Sequence, residues 1–309
     1  MESSLFDRRA IPAGANISIW TGPGGWRFRR FDWPAGTPRG SILFQGGRGD
    51  IFEKYLESFA HWRAQGWSIT SLDWRGQGGS GRLIADPHVG YIDDFATYIA
   101  DFRAFWAQWA VTAPAPRVLM GHSMGGHLVL RALLEGAADP VAAVLVAPML
   151  GLHSPVGARA GEGLARLMGT VGSDKRAAWK NNERPATNAT RQALLTHDHA
   201  RYADEIFWHE ARPEIVLGPP SWRWLIEAFR STRLQRADPK LGELDLPILM
   251  LVADADKLVD PAAAHFVAAH LPDCTVEAFG AESAHEILRE ADAVRDRALA
   301  AIDTLLARF

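Results

Sequence analysis

Short apolar runs alternate with amphipathic stretches along most of this chain. Runs typical of buried strands lie at residues 41–44, 67–72, 117–120, 141–147, 246–252 and 275–279. Stretches with apolar residues at helical spacing lie at 52–65, 91–111 and 291–306. Strands that alternate with helices predict a mostly parallel central sheet, flanked by helices and joined by right-handed crossovers.

The pattern differs at the N-terminus and in the second half of the chain. Residues 16–20 and 26–31 flank Gly22 and Gly25, and this arrangement predicts a hairpin. From 152 to 240 no strand pattern occurs, and helical stretches alternate with prolines and aromatic residues. We therefore predict a core formed by residues 1–151 and 241–309, with 152–240 inserted as a mainly helical lid.

Composition narrows the function classes. The formal net charge of −3 does not favour nucleic-acid binding, and a single cysteine, Cys274, excludes an internal disulfide framework. Residues 1–10 lack the apolar core of a signal peptide, so we expect a cytoplasmic protein. We expect no obligate protein partner. The predicted lid holds 14 Lys and Arg against 10 Asp and Glu. A solvated helical surface is the simpler explanation, and transient contact with an anionic membrane is the alternative.

The central candidate for chemistry is Ser123. It lies in a G-x-S-x-G sequence between an apolar run and a helical run, which is typical of the nucleophile elbow of α/β-hydrolases. A serine on such a turn projects above the sheet, and the helix that follows places a partial positive charge beside a developing oxyanion. The alternative is a loop serine that caps a helix.

A serine nucleophile needs a histidine base and an acid, in the chain order Ser, acid, His. Three acids follow the strand at 246–252: Asp254, which suits a turn; Asp260, which suits a helix cap; and Asp256, at the apex of the loop. We favour Asp256, with Asp254 as the alternative. His285 lies in a loop of small residues after the strand at 275–279 and is the predicted base.

The oxyanion hole needs two backbone N–H groups. We predict that Met124, directly after the nucleophile, supplies one, and that Gly47, in the loop after the strand at 41–44, supplies the other. His122 is expected to pack against the turn or to orient it. The apolar side chains of the lid form either an acyl pocket or the core of the lid itself; the candidate pocket residues are Trp179, Phe207, Trp208, Trp222 and Trp224.

No metal or cofactor is predicted. His197, His199 and His209 do not have the spacing of a familiar metal site, so we expect them on the surface of the lid.

Several segments resemble the monoacylglycerol lipase and lysophospholipase group of the α/β-hydrolases, the serine aminopeptidase S33-like enzymes. They lie at 49–55, 73–82, 121–126, 147–149, 255–259 and 284–286. Within that group the chain resembles the bacterial lysophospholipase L2-type proteins. The resemblance implies an α/β-hydrolase fold with its catalytic acid at Asp256. It covers the core and little of the lid, and Gln45 stands where many relatives have histidine.

These observations predict a serine ester hydrolase that needs no cofactor. The resemblance implies a lipid ester with one acyl chain, such as a lysophospholipid or a monoacylglycerol. The alternatives with the same three residues are a small-ester esterase, a thioesterase and a carbon–carbon bond hydrolase. A binding protein with this fold but without catalysis is a further alternative.

Overall fold

The computed structural model describes residues 6–153, 157–179 and 188–309. Its centre is a single eight-stranded sheet. The strands are β1 (Asn16–Thr21), β2 (Arg27–Trp33), β3 (Gly40–Gln45), β4 (Trp67–Leu72), β5 (Arg117–His122), β6 (Ala142–Val146), β7 (Ile248–Ala253) and β8 (Cys274–Phe279). In space they follow the order β1-β2-β4-β3-β5-β6-β7-β8.

Only the N-terminal hairpin departs from parallel pairing. β1 pairs antiparallel with β2, and β2 pairs antiparallel with β4. Every later pairing, from β4–β3 to β7–β8, is parallel. The predicted mostly parallel sheet and the predicted hairpin are both confirmed. Because parallel strands all point the same way, the loops after β3, β5, β7 and β8 lie along one edge.

Nine helices surround this sheet in the described part of the chain. They are α1 (Leu56–Ala64), α2 (Ala96–Thr112), α3 (Met124–Leu134), α4 (Ala158–Thr170), α5 (Asn188–Leu195), α6 (His199–Ala211), α7 (Trp222–Arg236), α8 (Pro261–Ala268) and α9 (Asp292–Leu306). None of the helices in the described ranges is long and apolar enough to cross a bilayer.

The sheet separates two hydrophobic cores, because successive strand residues point to opposite faces. Val118 and Met120 of β5 face one core, which includes Phe59 of α1 and Ile302 of α9. Leu119, between them, faces the other core, which α2, α3, α7 and α8 complete. Burial on both faces explains why these strands read as continuous apolar runs.

Two predicted helices begin differently in the structure. The helix predicted over 91–111 begins at Ala96, because the Asp94 carboxylate accepts a hydrogen bond from the Ala96 N–H at 2.7 Å and turns the chain there. The helix predicted over 52–65 starts with a 3₁₀ turn, Phe52–Tyr55, before α1.

The segment predicted as a lid contains α4 to α7. In its described residues β pairing is limited to isolated bridges, which involve Leu152, Ala177, Pro220 and Ser221. Helix α7 belongs to the core on the Leu119 side of the sheet, where Trp224, Ala228 and Phe229 pack with α2 and α3. The Ser221 hydroxyl begins α7 by accepting a hydrogen bond from the Trp224 N–H at 3.1 Å.

Candidate active site

Ser123 lies on a sharp turn between β5 and α3. Its backbone angles are φ 53° and ψ −118°, in the region that favours glycine, so the turn is strained. The Ser123 N–H donates to the Val146 carbonyl at 2.9 Å, and the Ser123 carbonyl accepts from the Met149 N–H at 2.9 Å. These bonds anchor the strained residue to the end of β6.

The glycines around Ser123 are required by close backbone contact. A Cβ atom added to Gly121 would lie 2.6 Å from the Gly125 carbonyl, and one added to Gly125 would collide with the carbonyl oxygens of Gln45 and Gly46. The G-x-S-x-G spacing therefore brings the elbow against the loop that follows β3.

The three predicted catalytic side chains lie in one hydrogen-bonded line. His285 Nε2 is 2.8 Å from the Ser123 hydroxyl, and His285 Nδ1 is 2.5 Å from Asp256 Oδ2. Asp256 and His285 are buried, and Ser123 is 9% exposed. The order and spacing match those needed for a base that takes a proton from serine while a carboxylate orients it.

The structure also separates Asp256 from the other acids of its loop. The second oxygen of Asp256 accepts hydrogen bonds from the backbone N–H groups of Leu258 and Val259. Asp260 caps α8, as predicted. Asp254 was expected to bond a backbone amide of the turn. Its carboxylate instead lies 2.7 Å from His265 Nε2 at the surface.

The electrostatics favour the ion pair between His285 and Asp256. Burial lowers the pKa of His285, but the Asp256, Glu286 and Asp50 carboxylates together outweigh burial and raise the pKa above its ordinary value of 6.5. Burial likewise opposes the charged form of Asp256. The imidazole of His285 and the two backbone donors outweigh it and lower the pKa of Asp256 below 3.8. The environment is therefore suited to stabilise an imidazolium at His285.

The N–H groups of the two predicted oxyanion donors differ in whether they already have a hydrogen-bond acceptor. Met124 is the first residue of α3, so its N–H has no acceptor within the helix. Gly47 lies against the nucleophile, and a Cβ atom there would be 2.9 Å from that of Ser123. The Gly47 N–H, however, donates to Asp50 Oδ2 at 2.7 Å. The oxyanion role of Gly47 stays a prediction, and sequence reasoning did not foresee that a carboxylate three residues later accepts from its amide.

Asp50 is a buried charged residue beside Ser123 that sequence reasoning did not single out. Besides Gly47, its carboxylate accepts from the Tyr55 hydroxyl at 2.7 Å and from Lys54 Nζ at 2.5 Å. Its Oδ2 is also 2.8 Å from His122 Nδ1. Burial opposes its charge, but Lys54 and His122 outweigh burial and hold the pKa of Asp50 well below 3.8. The charged residues Asp50, Glu53 and Lys54 among the apolar residues Ile51 and Phe52 were the available signal.

A cavity of about 230 Å³ opens beside the nucleophile. Its polar lining residues include Arg48, Asp50, Lys54, Arg191 and Glu286. The remaining lining residues are mainly apolar, with Met149, Leu152, Trp179, Leu194, Leu195, Leu217, Pro220, Trp224, Leu225, Leu258 and Val259. An apolar wall next to a reactive serine suits an acyl chain.

Two of the five predicted pocket residues line this cavity, Trp179 and Trp224, and three do not. Trp208 is buried in the core shared with α1 and α9, and its indole N–H donates to the Arg8 carbonyl at 3.1 Å. Phe207 lies under the Arg9 guanidinium, whose Cζ is 5.4 Å from the centre of the Phe207 ring.

The third is Trp222, which packs at the edge of the other core beneath Arg176. The prediction was wrong for these three because α6 supports the N-terminal segment and only one side of α7 faces the cavity.

Of the three lid histidines expected on the surface, His197 and His199 are exposed and His209 is not. His197 is half-exposed and its Nδ1 lies 3.0 Å from Glu290 Oε1. His209 is buried, with 8% exposure, so the surface prediction was wrong for it. His122 Nε2 lies 3.3 Å from the His285 carbonyl, so this side chain contacts the loop that carries His285.

The sheet order and the strained serine between β5 and α3 define an α/β-hydrolase. Residues 36–292 match the family described as "Serine aminopeptidase, S33", and the chain belongs to this family. Its sequence is 31% identical to Lysophospholipase L2 of Escherichia coli over 280 residues, covering 84% of this chain and 78% of that protein. It is 26% identical to Monoacylglycerol lipase of Mycolicibacterium smegmatis over 248 residues, covering 79% and 80%.

Solved structures show the same fold. A soluble variant of monoglyceride lipase from Saccharomyces cerevisiae superposes with a TM-score of 0.76 at 16% identity, covering 98% of both chains. Monoacylglycerol lipase from Paleococcus ferrophilus gives 0.69 at 19% identity, covering 94% of this chain and 98% of that one. At these identities the likeness shows the fold alone.

Proposed function

We propose that this protein hydrolyses the ester of a lipid with a single acyl chain, a lysophospholipid or a monoacylglycerol. Ester hydrolysis is the activity class that the family and the curated relatives support. The observation that carries the proposal is the 2.8 Å contact between His285 Nε2 and the Ser123 hydroxyl, with Asp256 behind it at 2.5 Å.

In the proposed mechanism, His285 takes the proton from the Ser123 hydroxyl as its oxygen attacks the ester carbonyl. The Asp256 carboxylate stabilises the imidazolium that forms. His285 then gives its proton to the leaving alcohol, and an acyl-enzyme remains on Ser123. A water molecule that donates its proton to His285 attacks this ester and releases the fatty acid, which restores the serine.

Met124 and Gly47 are the proposed oxyanion donors. The Met124 N–H is available at the start of α3, where the helix dipole favours negative charge. Gly47 fits because its backbone lies against Ser123, and its N–H must turn from Asp50 towards the oxyanion for both amides to act together.

The mainly apolar wall of the cavity supports the substrate class. Trp179, Leu225 and Val259 are apolar residues of the wall, whereas Arg48 and Arg191 are charged ones. A molecule with one apolar chain and a polar head matches this mixed lining. We further propose a cytoplasmic location. Transient contact of the predicted lid, residues 152–240, with an anionic membrane is a second hypothesis based on the sequence.

A hydrolysis screen over lysophospholipids, monoacylglycerols and short-chain esters tests the proposal, with Ser123→Ala as the control. We expect kcat/KM to rise with acyl length, and Ser123→Ala to lose about a thousandfold or more in kcat while keeping its unfolding midpoint. Acetyl esters cleaved far better than long-chain ones would contradict the substrate class. Absence of fluorophosphonate labelling at Ser123 in the folded protein would contradict catalysis itself.

A further inference from the structure

The turn between α5 and α6, residues 194–201, belongs to the segment predicted as a lid, yet it is bonded to the loop that carries His285. The Glu286 N–H donates to the Leu195 carbonyl at 2.7 Å. The His285 N–H points to the Leu194 carbonyl at 3.4 Å. Backbone bonds of this kind join the catalytic histidine directly to the predicted lid.

Glu290 strengthens this junction with a single buried carboxylate. Its Oε1 accepts from the N–H of Ala284, the residue before His285, at 2.7 Å. Its Oε2 accepts from the N–H of His197, in the α5–α6 turn, at 2.9 Å. The side chain of Glu290 is fully buried. One carboxylate thus holds the histidine loop, residues 280–290, and the α5–α6 turn in a fixed relation.

A second row of buried contacts follows the same junction. The Thr196 hydroxyl donates to the Arg289 carbonyl at 2.7 Å, and Arg201 Nη1 donates to the Glu290 carbonyl at 2.7 Å. The Arg289 guanidinium returns a hydrogen bond to the Arg201 carbonyl. Thr196 and Arg289 are almost completely buried. If the α5–α6 turn lifted away, these groups would lose their partners without gaining equally good ones.

His285 needs such support because of where it lies. The residues that precede it, from Gly280 to Ala284, belong to neither a helix nor a strand and have small side chains apart from Glu282. A general base must nevertheless stay within a few tenths of an ångström of its working position. The histidine loop therefore depends on contacts from outside itself.

We propose that Glu290 is a positioning residue for the reaction, acting through the backbone of Ala284 on His285. The α5–α6 turn is then a fixed support of the histidine loop, and any opening of the lid occurs elsewhere. This inference rests on the proposed function, because it gives Glu290 a role only through a catalytic His285.

The test compares Glu290→Gln and Glu290→Ala with the wild-type protein on a short p-nitrophenyl ester. This substrate makes little use of the acyl-binding wall. We expect Glu290→Ala to lower kcat by about 10- to 100-fold with KM changed by less than about threefold, since a small displacement of a catalytic group acts on the chemical step. Glu290→Gln keeps one acceptor oxygen for the Ala284 amide, so its kcat should lie between those of Glu290→Ala and the wild-type protein.

Two matched variants serve as controls. Glu282→Ala removes an exposed glutamate from the same loop, and His197→Ala removes the imidazole at Glu290 while leaving the backbone N–H that the carboxylate holds. Both should keep kcat within about twofold of wild type. Active-site titration normalises every kcat to folded protein, so a role in stability alone would lower the unfolding midpoint and leave kcat unchanged.

The rate of fluorophosphonate labelling of Ser123 separates the two proposals. Slower labelling in both Glu290 variants, in proportion to kcat, supports the inference. Labelling and kcat at wild-type values in a folded Glu290 variant would overturn it and leave the proposed function intact. If Glu290→Ala does not fold, Glu290→Gln and Thr196→Val carry the test by the same readouts. A wild-type protein that is not labelled would overturn the proposed function itself.

Discussion

The Asp50 carboxylate and the His122 imidazole are in direct contact, with 2.8 Å between Oδ2 and Nδ1. Because Asp50 is charged, His122 Nδ1 donates to it. The other ring nitrogen then faces the His285 carbonyl at 3.3 Å. The imidazole next to the nucleophile therefore lies between the loop after β3 and the histidine loop.

We expect His122→Ala to lower kcat by about 10- to 100-fold with little change in KM, because it removes these two contacts. Steady-state kinetics on a short ester would measure the effect. His270→Ala, an exposed histidine whose ring bonds only its own helix among the described contacts, is the matched control. A His122→Ala protein with wild-type kcat would show that the contact only fills space.

The pH dependence of hydrolysis follows from the pKa of His285. The group is a base only when neutral, and the Asp256, Glu286 and Asp50 carboxylates raise its pKa above 6.5. Protonated His285 therefore persists to higher pH, and kcat/KM should rise with pH through an inflection above 6.5.

Asp256→Asn removes the charge that contributes most to raising this pKa. We expect the inflection to move to lower pH and kcat to fall, by up to about 10⁴-fold. The pH profiles of the two proteins measure both changes. An inflection that is already below 6.5 in the wild-type protein, or that stays fixed in the variant, would contradict the assignment of the acid.

Trp179 offers a test of the acyl wall, because it lines the cavity and is 39% exposed. We expect Trp179→Ala to lower kcat/KM for long-chain esters about tenfold relative to short ones, since a partly covered indole contributes roughly 1–2 kcal/mol of apolar contact. Stability should change little.

Phe207→Ala is the control for this prediction. Its ring is 36% exposed, much like that of Trp179, but it lies outside the cavity beneath Arg9. Its chain-length profile should match that of the wild-type protein. Equal shifts in the two variants would mean that the cavity does not hold the acyl chain.

Arg29 forms a buried ion-pair cluster with Glu53 and with Asp73, the first residue of the 73–82 segment. Its guanidinium bonds both oxygens of Glu53, at 2.9 and 2.7 Å, and Asp73 Oδ2 at 2.7 Å. All three side chains are buried. Burial raises the pKa of Glu53 and of Asp73 above their ordinary values in spite of Arg29.

We expect Arg29→Met to lower the free energy of unfolding by about 3–5 kcal/mol near neutral pH, because two buried carboxylates lose their partner. A carboxyl group whose pKa is raised by folding stabilises the folded state as pH falls through that pKa. The deficit should therefore be smaller at acidic pH than at pH 8, as urea unfolding at both values would show. Arg27→Met, at an exposed position in the same strand, should change stability little. A deficit independent of pH would contradict this explanation.

The positions of the strands and the order of the three site residues follow from local sequence. Burial on both faces makes β5 and β7 continuous apolar runs, so their positions could be predicted from the pattern of apolar residues alone. The glycines around Ser123 record a close backbone approach that no larger residue permits. A local turn and its neighbours therefore identified Ser123, and the loops after β7 and β8 identified Asp256 and His285.

The surroundings of these residues depend instead on how distant segments pack together. Asp50 and Glu290 act on atoms brought near by folding, such as His122 Nδ1 and the His197 amide, and no sequence spacing encodes those distances. The same holds for Trp208, which resembles a pocket residue in sequence but packs under the N-terminal segment. Side chains within one element follow a period that can be read, whereas contacts between distant segments depend on how the elements pack.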